Sequence, residues 1–166
     1  GRLRQLTYLN KGLKIIFIDE QTNQKDEWLY EGGLKEYIED LNRDKEKLVP
    51  SIVYGEEEAK VKIPNSLQDE TYNIKVEVAF QYNKTYNNSC YSFCNNINTI
   101  EGGTHEEGFR LALVKILNRF AIEKKFIKES DEKFTKDDVV EGLTAIVSIK
   151  HPNPQYEGQT KRKLGN

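Results

Sequence analysis

Strands and helices in mixed order, with the strands arriving in hairpin-like pairs, predict an α+β fold in which a mixed sheet packs against helices. Two observations carry this. Residues 71–82 alternate Ile74, Val76, Val78 and Phe80 with polar or small partners, the period of a half-buried strand. Residues 104–125 repeat apolar side chains at helical spacing behind a Thr, the period of an amphipathic helix. The 166 residues suffice for one domain with a core of its own, and 37% hydrophobic against 31% charged residues leaves no room for a membrane-spanning run of ~20 apolar residues. A soluble globular protein with no membrane role is expected.

The elements follow in order. "GRLRQLTYLNKG" places Leu3, Leu6 and Leu9 at helical spacing and exits at Asn10 and Gly12; so short a helix reads as the tail of an upstream element. "LKIIFIDE" and "EWLYEGG" make a hairpin. "LKEYIEDLNRDKEKL" sets Leu34, Tyr37, Ile38 and Leu41 on one helical face, and Pro50 closes that unit. Residues 51–63 and 71–82 are two strands around a loop, and "YSFCNNINTI" is a further, less regular strand.

In the long helix Thr104 and Glu107 predict a capping box, Glu106 and Glu107 suit the positive end of the dipole, and the inward face is Phe109, Ala112, Leu113, Ile116, Leu117 and Phe120. Thr135 with Asp138 repeats the box before a short helix. "GLTAIVSIK" alternates Leu143, Ala145, Val147 and Ile149 as a last strand, which Pro152 and Pro154 stop.

Charge and composition remove several function classes. A net charge of -2 gives no global basic field, so any nucleic-acid contact must be local. Cys90 and Cys94, four apart on a strand and so roughly 13 Å from each other, suit neither a disulfide nor a shared metal; both read as small buried hydrophobes. "EGGTHEEG" lacks the spacing of a dinucleotide fingerprint and the Gly-Lys-Ser/Thr end of a P-loop, and a turn with a helix cap explains it. His105 reads as a structural hydrogen-bonder, and His151 has no Cys or His near it, so no metal site is expected. The chain has no Met and no signal-like stretch after Gly1, and it reads as an excised piece of something larger.

Two basic features remain. Lys115 and Arg119 stand one turn apart on the long helix with Arg110 and Lys124 nearby, which fits a solvated helix edge or a surface facing DNA. "EGQTKRKLGN" offers Gln159, an amide that donates and accepts, and Lys161, a compact cation of the kind used on phosphates. A solvated tail fits that segment as well, and spacing does not decide between the two.

Several stretches together, "RLRQLTYLNKGLKI", "YEGGLKEYIEDLN", "VEVAFQYN", "SFCNNINTIEGGTHEEGFR" and "EGLTAIVSIKHPNPQYEGQTKRKLGN", resemble in that order the second domain of the B subunit of bacterial DNA gyrase. The resemblance spans nearly the whole chain, and its most specific strings are "NNINTIEGGTHEEGF" and "PQYEGQTKRKLGN". It implies a ribosomal-protein-S5-domain-2-like transducer fold, with residues 1–12 the tail helix of an upstream ATP-binding domain and 13–166 the transducer. It further implies an ATP-dependent type II DNA topoisomerase in which Gln159 and Lys161 contact the ATP γ-phosphate, Lys161 taking part in catalysis. ATP and Mg2+ would be bound mainly by the upstream domain, which leaves the fragment alone inactive. The implied partners are double-stranded DNA, the gyrase A subunit in an A2B2 complex, and a second gyrase B chain that dimerises with the first on ATP binding. The implied location is the bacterial cytoplasm or an organelle of bacterial descent. "TYNNSCYSFC" is more Asn-rich than the family pattern, and 64–71 reads as an insertion. The B subunit of topoisomerase IV shares much of this pattern and is the close alternative. From another class, the same fold serves as a nucleic-acid-binding module without enzymatic role.

Overall fold

The computed structural model describes residues 1–63 and 70–166; of the loop expected as an insertion at 64–71, residues 64–69 lie outside the described residues. The chain runs α1 (Arg2–Leu9), β1 (Lys14–Asp19), β2 (Gln24–Leu29), α2 (Leu34–Leu41), β3 (Val53–Lys62), β4 (Thr71–Tyr82), β5 (Ser89–Cys94), β6 (Ile97–Asn98), α3 (Thr104–Glu123), α4 (Lys136–Val140) and β7 (Leu143–Lys150). The hairpin β1–β2 forms a sheet of its own, and the other strands make a mixed sheet in the order β3-β4-β7-β5-β6. The expected α+β class is the observed one.

The last strand in sequence is central in space. β7 pairs antiparallel with β4 and parallel with β5. A parallel partner cannot be reached by a tight turn, so the chain crosses between β5 and β7 through α3 and α4. Residues on opposite parities of β7 meet different layers. Ile146 packs with Ala79, Phe93, Tyr8, Leu34 and Ile38 under α1 and α2, whereas Leu143 and Ala145 pack with Leu113, Val139 and Val140 under α3 and α4. Helices therefore cover both faces. The alternation read in the sequence shows only one of these faces, because Thr144 and Ser148 on the other are polar yet buried. Thr144 is satisfied there: its Oγ1 donates to Asn42 Oδ1 (2.7 Å) and accepts from Asn83 Nδ2 (3.1 Å).

That polar cluster also ends α2. The helix expected to run on past residue 41 stops at Leu41, since the Asn42 side chain turns into the core and donates to Gln81 Oε1 (3.0 Å). Beyond it the backbone pairs with the end of β4 instead, Leu48 N donating to Tyr82 O (3.0 Å) and Lys84 N to Glu46 O (2.8 Å).

"YSFCNNINTI", expected as one strand, is a two-residue hairpin. Asn95 and Asn96 both take positive φ (50° and 66°), the conformation such a turn requires and Asn tolerates. The Asn95 side chain then clamps the end of β7, accepting from His151 N (2.9 Å) and donating to His151 O (2.8 Å). Both cysteines are free; Cys94 is buried, as read, whereas Cys90 is only partly so, though burial still pushes its thiol up to about 12.

Two expectations for α3 are corrected. Its cap is Gly103, with no side-chain cap bond, and the Thr104 hydroxyl donates to Asn166 O (2.6 Å) while Glu107 pairs with Lys136. The second box, Thr135 with Asp138, is complete. The inward face is also rotated: Leu113, Asn118 and Ala121 are buried, flanked by Phe109, Val114 and Leu117, whereas Ile116 is 53% and Phe120 48% exposed. The helix is apolar over most of its circumference, so periodicity alone leaves its rotation open. Asn118 fixes it, its amide accepting from Phe134 N (2.8 Å) and donating to Phe134 O (2.9 Å).

The first turn of α3 is tied to the sheet by a chain of polar side chains. Arg110 donates to Glu106 Oε1 (2.7 Å), Ser92 Oγ to Glu106 Oε2 (2.9 Å); Ser92 and Thr99 share a bond of 2.8 Å, and Thr99 Oγ1 lies 3.0 Å from His105 Nε2. His105 Nδ1 is buried without a hydrogen-bond partner among the described residues. Burial pushes this imidazole from the ordinary 6.5 down to about 4, with Glu106 opposing more weakly.

Two outcomes are expected in denaturant unfolding. Leu113→Ala should cost about 2–5 kcal/mol and Ile116→Ala about 1 kcal/mol or less, comparable losses indicating the rotation read from sequence, which put both residues on the inward face. Because the folded state holds His105 neutral, its contribution is full above the unfolded pKa of 6.5 and is lost as pH falls toward about 4. The unfolding midpoint should therefore drop more over that window in the wild type than in His105→Gln; parallel curves would refute the buried neutral imidazole.

Candidate functional site

After β7 the chain turns through Pro152 and Pro154 into a hairpin that the sequence showed only as a polar tail. Tyr156 bridges Leu164 antiparallel, Glu157 N donates to Lys163 O (2.9 Å), and Gly165 N donates to Gln155 O (2.8 Å). The tip is Gly158–Lys161, where Lys161 N approaches Gly158 O at 3.4 Å and Lys161 itself has φ 54°. A non-glycine residue in this region is uncommon and costs backbone energy, so the surrounding structure must hold it there.

The returning arm supplies that hold. Glu101 N donates to Arg162 O (2.9 Å), Leu164 N to Gly102 O (3.2 Å) and Thr104 N to Leu164 O (3.2 Å), a short parallel ladder along the Gly-Gly segment before α3. Leu164 is 1% exposed and packs with Cys94 and Ile149. Gly103 makes this possible. Its φ is 145°, and a Cβ there would lie 2.6 Å from Leu164 O and 2.7 Å from Leu164 N.

The three adjacent cations of the hairpin are treated differently. Arg162 pairs with Glu101 (2.7 Å) and Lys163 with Glu157 (2.9 Å). Lys161 and Gln159 are exposed, and among the described residues neither side chain has a hydrogen-bond or ion-pair partner. The Lys161 ammonium lies 6.0 Å from the Tyr156 ring centroid, a cation–π distance that leaves its three donors open. Beside the tip, Thr160 and Arg162 share with Arg2, Gln5 and Tyr8 of α1 a cleft of about 690 Å3.

The basic residues of α3 fall into two groups. Lys115 and Arg119 are exposed on its outer side, Arg119 held only loosely to Glu123 (3.7 Å), and Lys124 lies just past the helix end, 5.8 Å from the Phe120 ring centroid. Arg110 is half-buried and turned toward Glu106. The structure does not bring Arg110 together with the other three.

His151 is structural, its Nδ1 accepting from Asn153 N (3.0 Å). Among the described residues no group of three or more His, Cys, Asp or Glu is placed to hold a metal, and no helix is long and apolar enough to cross a membrane. Sequence reasoning missed Gly103, Thr104 and Leu164, which build the ladder. The available signal was Leu164 itself, an apolar residue inside a polar segment that needed somewhere to be buried.

The same segments identify the chain by comparison. The DNA gyrase B family profile matches residues 33–166, which begin at α2 and include the whole five-stranded sheet and the hairpin. The DNA gyrase B protein of Mycoplasma pneumoniae is 66% identical over all of this chain, and that of Mycoplasma genitalium 65%. The chain spans 26% of the length of each. Among solved structures, the 43K ATPase domain of Thermus thermophilus gyrase B, in complex with an aminocoumarin, superposes with a TM-score of 0.77 at 33% identity, over 99% of this chain and 41% of that one. With fold, profile and full-chain identity in agreement, the chain belongs to the DNA gyrase B family.

Proposed function

We propose that the chain is the transducer of an ATP-hydrolysing type II DNA topoisomerase of the gyrase kind, whose hairpin carries Gln159 and Lys161 to the γ-phosphate of ATP held by an upstream domain. One observation carries this reading: of three consecutive cations, Lys161 alone has no carboxylate partner among the described residues, at the tip, while Arg162 and Lys163 are neutralised by Glu101 and Glu157. A solvated tail has no reason to discriminate among its lysines. A tip with one free ammonium and one free amide suits a phosphoryl group. The remaining nucleotide contacts, and Mg2+, are assigned to the upstream domain.

In this reading residues 1–12 are the tail helix of that domain and 13–166 the transducer. The cleft between α1 and the tip supports a site shared between the two, and the separate β1–β2 sheet, with Ile16, Phe17 and Ile18 exposed, supports an upstream contact there. Bound ATP supplies the phosphoryl group that is transferred to water. Lys161 stabilises the charge on it most where that charge is redistributed in the transition state, and Gln159 adds a neutral hydrogen bond. Loss of the phosphate contact then frees the hairpin, and with it the transducer, to move relative to the upstream domain. Duplex DNA on the Lys115 and Arg119 side of α3, a gyrase A subunit in an A2B2 complex, B–B dimerisation on ATP binding and a location in the bacterial cytoplasm, or in an organelle of bacterial descent, complete the reading. The gyrase names of the bacterial relatives favour it over topoisomerase IV.

The test is steady-state hydrolysis by the complete protein. Lys161→Ala should lose about 100- to 1,000-fold in rate, about 2.7–4 kcal/mol, with folding retained. Gln159→Ala should lose less, because a neutral amide makes the weaker contact. Equal losses from Lys161→Ala and Lys163→Ala would mean the segment acts through bulk charge, and the role given to Lys161 would be wrong. For DNA, removing Lys115 or Arg119 should lower the slope of log affinity against log salt by about 0.9 each, and Arg110→Ala by less, since Glu106 already holds that guanidinium. A slope indifferent to Lys115 and Arg119 returns them to a solvated helix edge.

A further inference from the structure

We infer that Gly103, Thr104 and Leu164 are positioning residues for Lys161: the ladder they form sets the register of the hairpin against the start of α3, and hydrolysis depends on that register. The inference rests on the reading of Lys161 as a phosphate contact. Lys161 lies three residues before Leu164, and the returning arm between them is bonded to the fold at Glu101, Gly102 and Thr104. The outgoing arm is hydrogen-bonded to the returning one, through Glu157–Lys163 and Gly165–Gln155; it meets the sheet through Tyr156, whose ring packs on the Cys94, Ile149 and Leu164 cluster and whose hydroxyl reaches Cys94 O at 3.5 Å. Both arms rest on the Leu164 cluster, and the backbone register of the tip against α3 is set by the ladder at Leu164.

Gly103 offers a way to shift Lys161 without touching it. The atoms an added Cβ would meet, Leu164 O and N, are main chain and cannot swing aside as a flexible side chain would, and the φ of 145° disfavours any side chain. Alanine must open the ladder. Thr104 acts at the exit of the same arm, through its hydroxyl on Asn166 O (2.6 Å), and its loss is milder because the residue is exposed.

A purely structural role for these residues makes a different prediction from a positioning role, and a double-mutant cycle separates them. The complete protein is prepared as wild type, Gly103→Ala, Thr104→Val and Lys161→Ala, and with Gly103→Ala or Thr104→Val each combined with Lys161→Ala, all with their melting temperatures. Two quantities are read: the rate of limited trypsin cleavage at the hairpin, and kcat and KM for ATP hydrolysis. Gly103→Ala should speed cleavage and lower kcat by roughly 10- to 100-fold, in line with the cost of small misplacements of a reacting group, with KM changed much less. Thr104→Val should move both in the same direction by a smaller factor, and it carries the cycle if Gly103→Ala does not fold.

Either double variant should be no slower than Lys161→Ala, because a displaced arm has nothing left to misplace. Losses that multiply would show general destabilisation and overturn the proposal. So would unchanged cleavage in Gly103→Ala, or faster cleavage with kcat intact. Full activity in Lys161→Ala beside faster cleavage in Gly103→Ala identifies the other failure: the phosphate reading falls, the positioning role falls with it, and the ladder remains as an anchor of the fold.

Discussion

The contact between Gly103 and Leu164 is the constraint on which the rest of the candidate site depends. It joins three stretches that sequence keeps apart: the β5–β6 hairpin behind Cys94, the first turn of α3, and the returning arm after the Gln-Thr-Lys tip. Main chain meets main chain there, and that approach is open only where a residue lacks a Cβ. Burial of Leu164 beside Cys94 and Ile149 draws the arm in, at the roughly 1.5–3 kcal/mol typical of a buried Leu. The ladder hydrogen bonds then give it direction. Hydrophobic burial alone is non-directional and would leave the tip free to slide.

The sheet makes this joint rigid from below. Ile149 and Cys94 are facing residues of the parallel β7–β5 pair, so the floor on which Leu164 sits is the centre of the sheet, not an edge. Asn95, at the turn just beyond, clamps His151 at the start of the segment that leads to the hairpin. The polar chain from Arg110 through Glu106, Ser92 and Thr99 to His105 holds the start of α3 to the same strand. Both sides of the Gly103–Leu164 contact are thereby referenced to β5.

Much of the fold was legible because local chemistry and tertiary role agree. The β1–β2 hairpin and the Thr135 box depend on near neighbours and stand as read, and 71–82 is a strand as read, though its deepest residues are Ala79 and Gln81 on the face taken for the polar one. The misreadings share a different cause. Thr104 and Glu107 have the spacing of a capping box, but Asn166 and Lys136, 62 and 29 residues away, take their side chains. The face of α3 was ambiguous because apolar residues surround most of it, and a buried Asn118, which looks polar in sequence, decides the rotation. β7 looked like a half-buried last strand because Thr144 and Ser148 hide a buried face behind polar names. At the site, composition offered Gln159 and Lys161 only as one reading of a polar segment, and the resemblance to the gyrase B family assigned them a role. Which cation is left unpaired was not legible, because Glu101 and Glu157 select Arg162 and Lys163 only once the hairpin has formed and docked.

The position of α3 has a consequence for coupling. At ~1.5 Å per residue, Lys115 and Arg119 lie about 16–23 Å along the helix from Thr104. Thr104 is bonded to the returning arm twice, through its amide to Leu164 and its hydroxyl to Asn166. A 20-residue helix is stiff over this span, so a shift of the arm that keeps those bonds must carry the whole helix, and one that breaks them leaves the arm without its register. Under the proposed function, phosphate at the tip and DNA along α3 would bias one and the same joint. Coupling of that kind is reciprocal in free energy: whatever the nucleotide does to the affinity of α3 for DNA, DNA must do to the affinity of the tip for the nucleotide.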